Sequence, residues 1–354
     1  MGQPNNQQPD GASASPDQEA LWESLLIAYD EALARGDDPA LDEGLVPPDL
    51  QPRLRALGAC VSLLARTRQA AASLPAASLP AATLPEARGS RETPLKAQIG
   101  RFELLRELGR GGQGVVFLAV DPRLRRLVAL KMPRPEVLTT PERHRRFLRE
   151  GRAASALAHP NLVPIFEVGD DGPFVYIAAA YCEGPALAKW LKEHPLAVAF
   201  HEAAALVALL ADAMAHAHAR GIIHRDIKPS NVLLAPAEPG SLGAVELRGQ
   251  PVVPCLTDFG LARLTDDDGE QTRTGVLLGT PSYMAPEQAA GRAVDVGPAT
   301  DVYALGAVLY ELLVGRPPFR GANDLETLRL VGEAELVTPS ALRPHLPRDW
   351  RPSA

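Results

Sequence analysis

The stretch IIHRDIKPSNVLL, residues 222–234, brackets a polar loop between two apolar runs and sets Asp226, Lys228 and Asn231 within it. A carboxylate can accept a hydroxyl proton, a lysine can neutralise a transferring phosphoryl group, and an amide oxygen can ligate Mg2+. The stretch LTDFGLAR, residues 256–263, then supplies Asp258, a second oxygen ligand of the kind a hard cation takes.

Upstream, ELGRGGQGVVFLAV (residues 107–120) packs four glycines into six positions, with G-x-G-x-x-G spacing at Gly109, Gly111 and Gly114. Dinucleotide-binding folds share that spacing, but there the glycines open a helix. Here VVFLAV follows, β-branched and aromatic, and reads as a strand. The local reading is a strand–turn–strand hairpin whose bare amides could lie over phosphates. LVALK then puts Lys131 on the next strand, and Glu150 falls on the basic helical stretch PERHRRFLREGRAASALA. A carboxylate on the inner face of that helix could hold the lysine in place, and a fixed ammonium is what a triphosphate needs. Each feature alone also reads as a solvated turn or a surface charge. All of them in this order do not.

The order carries a resemblance. Residues 102–320 are similar to the eukaryotic-type protein kinases, specifically the bacterial serine/threonine kinases, through the glycine loop, VALK, HRDIKPSN, DFG, GTPSYMAPE and DVYALG. The resemblance implies an α+β fold of two lobes, a small β-rich one and a larger helical one lacking its last helices, behind an N-terminal helical or disordered extension. It implies ATP and Mg2+ as cofactors and serine/threonine side chains of proteins as substrates. Lys131 would grip the α and β phosphates and pair with Glu150; Asp226 would be the catalytic base and Lys228 the γ-phosphate contact; Asn231 and Asp258 would hold magnesium. Gly109, Gly111 and Gly114 would cover the phosphates, while Val116, Ala129 and Leu233 would sandwich the adenine. Aligning YIAAAYCEG (residues 176–184) puts Ala179 at the gatekeeper position behind it. Thr272 and Thr274 stand where similar bacterial kinases autophosphorylate, with Arg225 as the phosphate's partner; Thr280 would help position substrate. Small-molecule kinases of the aminoglycoside type share the catalytic-loop logic but lack the GTPSYMAPE segment.

The rest of the chain sets the frame. Its 354 residues carry a net charge of −7, with 46% hydrophobic and 22% charged residues, which suits a soluble protein and argues against a nucleic-acid partner. The three cysteines, Cys60, Cys182 and Cys255, are too scattered for a disulfide framework or a zinc site. The polar start MGQPNNQQPD cannot serve as a signal peptide and no long apolar run reads as a membrane span, so a cytoplasmic protein is expected. Composition divides the chain into a disordered start (1–17), a short helical segment (18–70) and an Ala/Ser/Leu/Pro linker (71–100) with a pentapeptide repeat. A small lobe (101–181), a large lobe (182–338) and a Pro-rich tail (339–354) follow.

Three departures from the family pattern stand out. The connection APAEPGSLGAVELRGQPVVP (residues 235–254) is longer than usual and reads as a surface hairpin. The hinge has alanines where relatives have Met–Glu. The chain ends before the helices whose arginine pairs with the carboxylate matching Glu287; Arg343, Arg348 or Arg351 is the expected substitute. Two readings therefore stand side by side: an active serine/threonine kinase, and a non-catalytic kinase-like binding module held by its N-terminal segment, a homodimer contact or a stabilising partner.

Overall fold

The computed structural model describes residues 97–111, 114–133, 140–171, 174–259 and 280–343. The first three expected segments, apart from residues 97–100, lie outside these residues, as do Thr272, Thr274, Arg348 and Arg351. Everything described falls within one compact unit, residues 92–354.

Six antiparallel strands open it: β1 (Gln98–Ile99), β2 (Phe102–Gly111), β3 (Gly114–Asp121), β4 (Arg126–Pro133), β5 (Ile165–Asp171) and β6 (Phe174–Ala180), in the order β1-β2-β3-β4-β6-β5. The apolar, β-branched run anticipated from VVFLAV is β3, buried along most of its length. The sheet buries a face against α1 (Pro141–Ser155), where Phe147 packs on Val175 and Ile177. Thr140 caps α1 by accepting from the Arg143 N–H at 3.1 Å. Gly151 lets α1 approach the sheet closely, because a Cβ there would meet Val168 Cγ2 at 3.0 Å.

Helices dominate from α2 (Leu187–Glu193) and α3 (Phe200–His218) onward. Leu206, Leu210, Ala213 and Ala217 recur at helical spacing on α3 and are fully buried. They share a core with Leu305, Val308 and Leu312 of α5 (Pro298–Val314), which ends at Gly315 in the left-handed region, φ 85°. Each such leucine contributes about 1.5–3 kcal/mol of burial. Short helices α4 (Pro286–Ala289), α6 (Asp324–Glu333) and α7 (Pro339–Leu342) complete the lobe.

The long connection is a hairpin, as its composition indicated. Strands β7 (Val232–Pro236), β8 (Val245–Leu247) and β9 (Gln250–Leu256) form a second sheet ordered β7-β9-β8. Arg248 and Gly249 close β8 onto β9, and their φ values of 51° and 77° suit a two-residue turn with the right twist for the strands.

Among the described residues the partner of Glu287 is not an arginine. Glu287 is half-buried and accepts from Thr300 Oγ1 at 2.6 Å. Arg343 does fold back, but onto the carbonyls of Leu313 at 2.8 Å and Val198 at 3.1 Å. A guanidinium serves there because the last carbonyls of a helix lack intrahelical partners. The large apolar side chain that α5 leaves exposed is Val302 at its start, with Leu305, Val308, Leu312 and Leu313 buried.

Candidate nucleotide and phosphoryl-transfer site

A cleft of about 440 Å³ lies between the sheet and the helical part. Strand register places its apolar walls: Ala129 pairs with Ala179 across β4 and β6, and Val116 pairs with Lys131 across β3 and β4. Val116, Ala129, Lys131, Ala179, Leu233 and Asp258 all line it, as does Gly109. The three expected glycines separate into two kinds. Cβ atoms at Gly109 and Gly111 would meet nothing within 4 Å among the described residues. Gly114 answers to the fold itself: a Cβ there would sit 2.0 Å from the Met132 carbonyl oxygen.

Lys131 is buried, and its Nζ lies 2.9 Å from Asp258 Oδ1. Asp258 is held at φ 69°, a strained conformation for a side-chain-bearing residue. Asp226 and Lys228 are not among the residues lining the cleft; Lys228 Nζ reaches both Asp226 oxygens, at 2.8 and 2.9 Å. Asn231 Nδ2 donates to the Asp226 carbonyl at 2.8 Å and to Oδ2 at 3.1 Å, and its Oδ1 accepts no hydrogen bond among the described residues. Asp226 is thus oriented from two sides. Glu150 is not among the residues lining this cleft; it lines a second recess of about 250 Å³ with Arg149 and Arg225. Its pairing with Lys131 stays an expectation. Thr280 is exposed beside the turn Pro281–Tyr283.

Beneath the loop of Asp226 runs a buried network that the motifs of the sequence do not assign. Asp301 of α5 is fully buried. Its Oδ2 accepts from the His224 N–H at 2.9 Å and from His218 Nε2 at 2.7 Å, and its Oδ1 from the Arg225 N–H at 2.8 Å. Arg225 sits at φ 67°, and its carbonyl accepts from Gln288 Nε2 at 2.8 Å. The Asp226 N–H donates to His224 Nδ1 at 3.3 Å, so His224 Nε2 carries the hydrogen it gives to the Thr257 carbonyl at 2.9 Å. One imidazole therefore joins the loop of Asp226 to the strand end bearing Asp258. The available signal was an aspartate inside the otherwise apolar ATDVYALGAVLYELLVG, since a buried acid needs partners.

Farther along the same face, Tyr283 OH donates to Glu311 Oε2 at 2.5 Å, tying the GTPSYMAPE segment to α5. Burial raises the Glu311 carboxyl above its ordinary range, although the Tyr283 bond and Arg320 oppose that. Burial likewise raises two thiols: Cys182, which lines the cleft, is pushed up, and Cys255 of β9 reaches about 12.

A family model described as the protein kinase domain matches residues 102–346. The chain belongs to the protein kinase family. It is 41% identical over 223 residues to the serine/threonine-protein kinase Pkn1 of Myxococcus xanthus, covering 62% of this chain and 30% of that one. It is 39% identical over 257 residues to PkaA of Streptomyces coelicolor (69% and 44%), and 38% identical over 261 residues to PrkC of Bacillus subtilis (72% and 35%). The chain thus spans less than half the length of these curated kinases. Among solved structures, the PknI kinase domain of Mycobacterium tuberculosis matches with a TM-score of 0.53 at 29% identity, covering 71% of this chain and 84% of that one. These matches agree with a bacterial kinase of the serine/threonine class. Among the described residues no helix is long and apolar enough to cross a membrane.

Proposed function

We propose that this chain transfers the γ-phosphoryl group of ATP to serine or threonine hydroxyls of proteins. The observation that carries the reading is Asp226 clamped between Lys228 and Asn231, on a loop that His224 ties to the Thr257 carbonyl, next to the Asp258 that lines the cleft with Lys131. The residues fit a magnesium nucleotide: Asp258 and Asn231 Oδ1 offer the hard oxygen donors that Mg2+ takes, and Gly109 and Gly111 leave room for phosphates. Bound Mg2+ would neutralise charge building on the phosphate oxygens.

This chain's residues supply the rest. Val116, Ala129 and Leu233 form the apolar walls for a purine, with Ala179 behind. Lys131, now on Asp258, can exchange that carboxylate for phosphate oxygens, with Glu150 as its expected partner in that state. Asp226 accepts the proton of the attacking hydroxyl, and Lys228 steadies charge on the transferring group. Nothing covalent is asked of the protein; the work is positioning and electrostatics.

We also propose autophosphorylation at Thr272 and Thr274, read by Arg225, because a charge-assisted bond from a phosphate beside Asp226 would order the loop. Thr280 is assigned to substrate positioning. The lobes are assigned to residues 101–181 and 182–338. Radiolabelled transfer from ATP to a serine- or threonine-containing protein, by the full chain with Mg2+, tests the function. ATP binding without any transfer under saturating substrate would refute it.

A further inference from the structure

The long connection between β7 and β9 grips the loop that leaves α1. Asn161, only 1% exposed, lies in that loop and sends both amide hydrogens into this second sheet region. Its Nδ2 donates to the Gly243 carbonyl at 2.9 Å and to the Pro254 carbonyl at 2.9 Å. Two carbonyl acceptors fix which end of the amide is nitrogen. The backbone joins in: the Leu256 N–H donates to the Asn161 carbonyl at 2.9 Å, and the Val163 N–H to the Leu256 carbonyl at 2.9 Å. On the other side of the loop, His159 Nε2 lies 3.1 Å from Asp212 Oδ2 of α3.

Gly243 is a firm acceptor because the connection is itself anchored. Leu247 is 1% exposed in the helical core, the Arg248 N–H donates to Glu202 Oε1 at 3.0 Å, and Arg248 Nη2 reaches the Leu196 carbonyl at 2.7 Å. The Pro254 bond uses a residue of β9, whereas the Gly243 bond exists only because the connection is long enough to return to Asn161.

We infer that this connection is a strut: through the Gly243 carbonyl and Asn161 it holds the C-terminal end of α1, and so positions Glu150 relative to the cleft. Asn161 and Gly243 are then positioning residues for phosphoryl transfer. The kinetic part of the inference rests on the proposed function; the structural part does not.

The sequence position of Gly243 provides its own control. At φ 73°, a Cβ on Gly243 would lie 2.9 Å from Asn161 Oδ1 and 3.1 Å from Nδ2. Gly240, in the same connection, has φ 80° and open space where a Cβ would go. Gly240→Ala therefore carries the same backbone strain without touching Asn161. The experiment compares Asn161→Ala, Gly243→Ala, their combination and Gly240→Ala in the full chain, by hydrogen exchange over residues 150–163 and by steady-state kinetics. Both strut variants are expected to speed exchange over 150–163 and to lower kcat by about three- to thirtyfold with little change in KM for ATP. Their combination should be no worse than the worse single variant, since Asn161→Ala already removes the Gly243 contact that Gly243→Ala disturbs. Gly240→Ala should behave as wild type in both readouts. Unchanged exchange in Gly243→Ala, additive effects, or faster exchange with wild-type kcat would each overturn the strut as a positioning device. Should Asn161→Ala not fold, Gly243→Ala against Gly240→Ala decides alone. A wild-type chain with no transferase activity would refute the proposed function, while the exchange comparison would still judge the strut.

Discussion

Replacing Asp301 is the sharpest probe of how the catalytic loop is held. The carboxylate is fully buried and accepts three hydrogen bonds, two from the backbone N–H groups of His224 and Arg225 and one from His218. In Asp301→Ala both backbone donors lose their acceptor in a site closed to water. An orphaned buried polar group costs about 1–3 kcal/mol, so the pair costs about 2–6 kcal/mol, before the His218 bond is considered. That is a large share of a domain's stability of about 5–15 kcal/mol. Asp301→Asn keeps the shape and can still accept two of the three bonds. Its amide hydrogens, however, would face the remaining donor, most simply the Arg225 N–H. The expected loss is one charge-assisted bond, about 1.5–3 kcal/mol. Because His224 and Arg225 immediately precede Asp226, the Asn variant should also lose turnover while it remains folded. Urea unfolding gives the stability change at constant m-value, and phosphate transfer measured below the transition gives kcat. An Asp301→Asn protein within about 0.5 kcal/mol of wild type, with unchanged kcat, would refute the claim that this network holds the loop.

Asp226→Asn removes the proton acceptor at nearly constant shape, so nucleotide binding by calorimetry should survive while kcat falls about 10²–10⁴-fold. Asp258→Asn should instead weaken nucleotide binding measured with Mg2+ more than binding measured without it. Ala179→Met fills the space behind the purine walls, and at about 0.8 kcal/mol per buried methylene it should cost inhibitors with a bulky aromatic group at least about tenfold in affinity; equal potency on both proteins would place Ala179 elsewhere. Asp121 is buried and its carboxyl is held below the usual range, first by the Arg101 side chain at 3.2–3.3 Å, against the opposing effect of burial. A depressed acid stabilises the fold above its unfolded pKa and loses that contribution as pH falls through the folded value, so wild type should weaken below about pH 4 more steeply than Asp121→Asn. Parallel acid-unfolding curves for the two proteins would contradict this.

The candidate site was legible in the chain because the residues proposed for it sit in short, contiguous stretches. Asp226, Lys228 and Asn231 fall within six residues, and a loop that short leaves few ways to arrange them. Residue pattern likewise announced β3 and the helix α1 that bears Glu150, since burial imprints itself on neighbouring positions. What the chain could not disclose is pairing over distance. Nothing in the sequence says that Lys131 meets Asp258, that Thr300 bonds Glu287, or that Arg343 settles on the Leu313 carbonyl at the end of α5. Those partners are chosen by which groups packing leaves without water. The same holds for Asp301 and Asn161, whose hydrogen-bond partners lie 76 to 93 residues away. A buried polar side chain advertises that it needs partners; only the folded arrangement of backbone donors and acceptors determines which ones it finds.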